Sequence, residues 1–92
     1  MPVQLTQVEI ANSLEDVPKW FLDGKNIRRT FELKDFTTAL GFVTSVGALA
    51  EQEDHHPDID IRYNRVTLTL STHSAGGLTR KDFELARAID AL

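Results

Sequence analysis

An α+β fold, with four strands in one antiparallel sheet and helices packed on one face, is predicted by three features of the hydropathy pattern. Two pairs of short alternating segments, at 20–33 and 59–71, are each joined by only a few residues. A long stretch with helical periodicity separates the two pairs. Shorter helical stretches open and close the chain. Strands joined by tight turns pair antiparallel, whereas parallel neighbours need a crossover of a dozen residues or more. The expected order is therefore helix, two strands, helix, two strands, helix.

The elements follow in chain order. Thr6-Gln7-Val8-Glu9 has the form of a capping box, and Leu5, Val8, Ala11 and Leu14 recur at helical spacing until Pro18 stops the helix. Trp20-Phe21-Leu22, Asp23-Gly24-Lys25-Asn26 and the segment from Ile27 read as strand, turn, strand. Ile27, Phe31 and Leu33 share one face of the second strand, and Arg28, Thr30 and Glu32 the other. Arg29 breaks that alternation, which places it near a strand end or against a partner.

The central helix is expected over 35–54, with Phe36, Ala39, Leu40, Val43, Val46, Gly47 and Ala50 as the stripe facing the sheet. The back face holds Thr37, Thr38, Gly41, Thr44, Ser45 and Ala48, with Phe42 and Leu49 at its flank. Between Asp35 and Glu51 there is no charged residue. Solvent-facing helices are usually laced with charge, so this face is expected to meet a second copy of the chain. Coverage by the chain's own termini is the plainer alternative.

Ile59, Ile61 and Tyr63 alternate with Asp60 and Arg62, and Val66, Leu68 and Leu70 with Thr67, Thr69 and Ser71; Tyr63-Asn64-Arg65-Val66 is the turn between them. The same period puts His73 on the polar face, away from the core. Gly76-Gly77 turns the chain, and Thr79 caps a last helix carried by Phe83, Ala86, Arg87 and Ile89, with Leu85 and Leu92 extending its apolar surface.

Ninety-two residues suit a single domain, 1–92, with a modest core that association would enlarge. The net charge of −4 and the lack of a basic stripe argue against direct nucleic-acid binding. Zero cysteines remove disulfides, thiolate nucleophiles and cysteine-bound zinc. The first residues lack a secretory pattern, and no segment approaches the roughly 20 apolar residues of a membrane span. A cytoplasmic location is the expectation.

All three histidines fall within 51–82, along with a dense group of carboxylates. His55-His56 stand at the end of the central helix, and Pro57 restricts the residue before it, so the pair sits on a rigid mount. Glu51, four residues before His55, has the spacing to orient that imidazole along one helix face. An unperturbed histidine titrates at about 6.5, so imidazoles supply both forms needed for general acid–base work near neutral pH. Plainer roles compete. His-His-Pro also suits a helix end, Thr79-x-x-Asp82 is itself a capping pattern, and His73 suits an inert surface position. A metal site from Glu51, His55, His56 and His73 has acceptable ligand types, but adjacent histidines rarely converge on one ion and no HExxH is present.

Taken together, Glu51-x-x-x-His55-His56-Pro57, Tyr63, His73 and Asp82 resemble the signature of the pterin-4a-carbinolamine dehydratase family. The likeness extends to Trp20, the Arg29–Phe31 strand, Asp35-Phe36, Tyr63-Asn64-Arg65-Val66, Thr72-His73 and Gly77-Leu78-Thr79. The resemblance implies dehydration of 4a-hydroxytetrahydropterin to the quinonoid dihydropterin, with no metal and no organic cofactor. It implies that His55 and His73 are the acid–base pair and that His56 binds the pterin and assists. Glu51 and Asp82 would orient imidazoles, and Asp54 and Pro57 would shape the pocket. It implies a homodimer or homotetramer through the central helix. Where many relatives carry an aromatic residue after His-His-Pro, this chain has Asp58-Ile59-Asp60, which implies weaker stacking on the ring. Relatives of the fold also act as a dimerisation cofactor for a transcription factor or as a RuBisCO assembly chaperone. A pure scaffold has no need of a complete histidine set, so the three histidines favour catalysis. A related role in molybdopterin metabolism would use the same pocket.

Overall fold

A computed structural model of the chain describes residues 3–92; the opening Met1 and Pro2 lie outside the described residues. Helix α1 (Gln7–Leu14) is followed by β1 (Phe21–Asp23), β2 (Asn26–Glu32), α2 (Phe36–Glu53), β3 (Asp58–Arg62), β4 (Arg65–Leu70), a 3-10 turn (His73–Ala75) and α3 (Arg80–Asp90). All neighbouring strands pair antiparallel in the order β1-β2-β4-β3, and tight turns join β1 to β2 and β3 to β4. Two-residue turns join the hairpins, with Gly24 at φ 60° in one and Tyr63 at φ 52° in the other. The second turn is centred on Tyr63-Asn64, one residue earlier than expected. Asn64 settles it by bonding Leu33 through both its backbone oxygen and its side-chain amide, at 2.8 and 2.9 Å.

The sheet has one apolar face. Val66, Leu68 and Leu70 of β4 and Ile27 of β2 are fully buried there, each contributing on the order of 1.5–3 kcal/mol by leaving water. The opposite face is polar, as in the cross-strand hydroxyl pair of Thr30 and Thr67 at 2.8 Å. Helix α3 buries Phe83, Leu85, Ala86 and Ile89 against the core. Helix α1 opens with the expected Thr6–Glu9 capping box. Ile10 and Leu14 lie against the core, while Val8 is exposed.

Two readings of side-chain direction are corrected. In α2 the inner face is Ala39, Phe42, Val43, Val46, Leu49 and Ala50, whereas Phe36 and Leu40 are 47% and 42% exposed. Two adjacent stripes of this helix are apolar, so periodicity did not choose between them. Contact did: the Phe42 ring lies 4.7 Å from that of Phe31, and small alanines at 39 and 50 admit the sheet. Arg29 lies mid-strand on the inner face, not near a strand end, and it does lie against partners. Its guanidinium covers the Phe31 ring at 4.1 Å and donates to Asp90 Oδ1 at 2.7 Å, the oxygen that also accepts from Trp20 Nε1 at 2.8 Å. The stem packs apolar surface while the charged head reaches α3.

Candidate active site

Three chain segments meet around one buried carboxylate: the end of α2, the exit of β4 and the start of α3. Helix α2 stops because Asp54 turns left-handed, at φ 50°. The amide of His55 then bonds back to Ala50 O at 3.0 Å and that of Asp54 to Glu51 O at 3.3 Å. This pattern is a Schellman motif, with aspartate in the place that glycine or asparagine usually takes. It turns His55 inward and leaves His56 outside, with Pro57 half-buried just beyond.

His55 is buried, and its Nε2 lies 2.6 Å from Asp82 Oδ1. Asp82 is fully buried in the first turn of α3. Its Oδ2 accepts from the Thr72 hydroxyl and from the Thr79 amide, both at 2.9 Å. Thr72 and Thr79 share a further hydroxyl bond of 2.8 Å. A carboxylate only accepts, so Nε2 of His55 carries the proton in this contact, and Nδ1 is not engaged by Asp82. The sequence offered helix cap and histidine partner as alternatives for Asp82. The structure uses one oxygen for each.

Glu51 does not reach His55, as its spacing suggested. It pairs with His56 Nε2 at 2.5 Å, on the surface, because the left-handed turn carries residue 55 off the helix face. Two histidine–carboxylate pairs thus stand side by side, one dry and one wet.

His73 is exposed, as strand alternation indicated, although β4 ends at Leu70 and His73 opens the 3-10 turn. Its neighbour Thr72 bridges Gly77 through backbone bonds of 3.1 and 3.4 Å. Gly76 takes φ 75°, a backbone region that favours glycine, and a Cβ on Gly77 would displace the end of the Gln4 side chain, 2.6 Å away. Through Thr72 the loop is tied to Asp82 and hence to His55. A cavity of about 300 Å³ opens beside His73. The β1–β2 turn supplies Lys25 and Asn26 to its wall, the exit of β4 supplies Ser71 and Thr72, and the two glycines close it. His55 and His56 do not line this cavity. Lys25, Asn26, Ser71 and Thr72 escaped sequence reasoning. Threonines at 72 and 79 flanking a glycine pair before Asp82 were the available signal for Thr72; Lys25 carried none. Among the described residues, no three His, Asp or Glu side chains gather as a metal ligand set.

The fold is thus an α+β sheet with helices on one face, and it carries two histidine–carboxylate pairs. The family model for pterin 4 alpha carbinolamine dehydratase matches residues 3–92, and the chain belongs to that family. A Chloroflexus aurantiacus protein named "Putative pterin-4-alpha-carbinolamine dehydratase" is 57% identical over 97% of this chain and 96% of its own length. A Roseiflexus sp. protein of the same name is 51% identical over 100% and 99%. A solved structure described as a transcriptional coactivator/pterin dehydratase from Brucella melitensis superposes with a TM-score of 0.90 at 42% identity, over 96% of each chain. A pterin dehydratase-like RuBisCO assembly factor of the alpha-carboxysome matches at a TM-score of 0.67 and 24% identity, over 79% of this chain and 87% of that one, a likeness of fold alone. No helix among the described residues is long and apolar enough to cross a membrane.

Proposed function

We propose that the chain is a 4a-hydroxytetrahydropterin dehydratase working by histidine general acid–base catalysis, with a cytoplasmic location. The observation that carries this reading is the buried His55–Asp82 pair, bonded through Thr72 to the loop that presents His73. Dehydration needs one proton delivered to the departing 4a-oxygen and one removed from the ring nitrogen N5. The C4a–O bond breaks, water leaves, and the N5–C4a double bond of the quinonoid dihydropterin forms. No electron acceptor enters the balance. His73, with no side-chain hydrogen bond among the described residues, and His55, with Nδ1 uncommitted to Asp82, are the groups that exchange these protons. His56, held by Glu51, assists at the pterin, and Asp54 and Pro57 set the entry. Positioned imidazoles contribute typically about 10²–10⁴-fold to such a step.

Stopped-flow dehydration of synthetic 4a-hydroxytetrahydropterin tests the mechanism. His55→Ala and His73→Ala each lower the rate by about 10²-fold or more. Unchanged turnover in both variants removes the mechanism.

The second copy expected at the central helix meets the face that the corrected rotation leaves open. Phe36 and Leu40 are exposed there beside Gly41, Thr44, Ser45 and Ala48, with no charge among them. This face is proposed to bury itself in a homodimer or homotetramer. Gly41→Glu or Ser45→Glu splits the assembly, because the new charge is buried without a partner. A parent chain that is monomeric by light scattering contradicts the interface.

A further inference from the structure

The cavity beside His73 is also lined by a lysine, Lys25. Lys25 sits at the second position of the β1–β2 turn, fixed by the left-handed Gly24 before it. The neighbouring carboxylate, Asp23, is engaged elsewhere: it pairs with Arg28 at 2.8 Å. Lys25 itself forms no ion pair among the described residues, and no carboxylate lines the cavity. A Cβ on Gly76 would meet nothing within 4 Å, and Ser71 is small. The cavity therefore carries no bulky side chain where Gly76, Gly77 and Ser71 line it. Its volume of about 300 Å³ is at the lower end of small-molecule sites, which suits a bicyclic ring with a short substituent.

A neutral pterin ring beside His73 gives a cation in the same lining nothing to pair with. An acidic terminus on the ring's side chain does. We infer that Lys25 selects pterins whose side chain ends in an anionic group, a carboxylate or a phosphate ester. This rests on the pterin reading above and adds the class of substituent to it. Asn26, next to Lys25 on the same wall, supplies an amide for the remaining acceptor oxygens.

Calorimetric titration of two pterins of equal ring structure tests this: 6-carboxypterin, which is anionic, and 6-hydroxymethylpterin, which is neutral. The parent binds the carboxylated compound more tightly. Lys25→Ala weakens it about three- to tenfold, as expected for one partly exposed charge-assisted contact, and moves the neutral one less than twofold. Lys25→Arg restores the preference, and added salt narrows it. Equal weakening of both ligands, no change in either, or no binding by the parent overturns the inference. Parent turnover of a neutral 4a-hydroxytetrahydropterin, measured alongside, separates the two readings. Turnover without any charge preference in binding leaves the dehydratase and removes Lys25's role. Charge preference without turnover keeps Lys25's role and removes the dehydratase.

Discussion

Two adjacent histidines each hold a carboxylate, yet the two pairs differ in nearly everything physical. His55 and Asp82 join residues 27 apart in sequence inside the protein, with the aspartate fully buried and bonded to Thr72 and Thr79 as well. His56 and Glu51 join residues five apart on the surface, with side chains 55% and 79% exposed. The first pair ties three chain segments together, so its geometry is fixed by the fold. The second is held by one helix end, and water competes for both members. Contact distance alone, 2.6 against 2.5 Å, says nothing of this difference. Burial decides it.

Breaking the buried pair has the largest expected effect. Asp82→Ala strips partners from His55, Thr72 and the Thr79 amide together, and a broken buried pair costs about 3–5 kcal/mol. Urea unfolding checks this; a loss under 1 kcal/mol would mean that the network is not holding α3 to β4. Glu51→Gln, by contrast, costs about 0–1 kcal/mol, the range for an exposed pair. Raising salt to 1 M, where the screening length is about 3 Å, erases the Glu51 effect and leaves that of Asp82. The smallest expected effect lies at the other end of α2. Asp35 caps that helix by accepting from Thr38 N at 2.8 Å, and its bonds to the Thr38 side chain and amide hold its carboxyl below the ordinary range. A carboxyl lowered in the folded state stabilises fully above its unfolded value, about 3.9, and the contribution is lost as pH falls through the folded value. Thermal melts of parent and Asp35→Asn thus differ above about pH 4 and converge in stronger acid. A difference constant with pH would remove the charge from the cap.

The element order and strand pairing were legible because period-2 segments separated by short turns leave few topologies. Capping boxes at Thr6 and Thr79 were legible because their signal is local. The partner of His55 was not. Helical spacing pointed to Glu51, but one left-handed residue at Asp54 rotates the chain enough to give Glu51 to His56 and send His55 to α3. A change of backbone region at a single non-glycine position leaves no mark in residue periodicity. The exposed Phe36 and Leu40 were misplaced for a related reason: two apolar stripes on α2 are equivalent until the aromatic cluster of Trp20, Phe31 and Phe42 selects one. Lys25 is a turn residue like many others, and only the folded sheet brings it into one cavity lining with His73.

The central claim is that the buried pair, not the exposed one, organises the chemistry. Stopped-flow dehydration rates for Asp82→Asn and Glu51→Gln, each compared with the parent at neutral pH, test it most directly. The expected result is a fall of about tenfold or more in kcat for Asp82→Asn, which loses the acceptor that orients His55, and less than about threefold for Glu51→Gln. Equal rates in the parent and folded Asp82→Asn, or a deeper loss at Glu51, would contradict it.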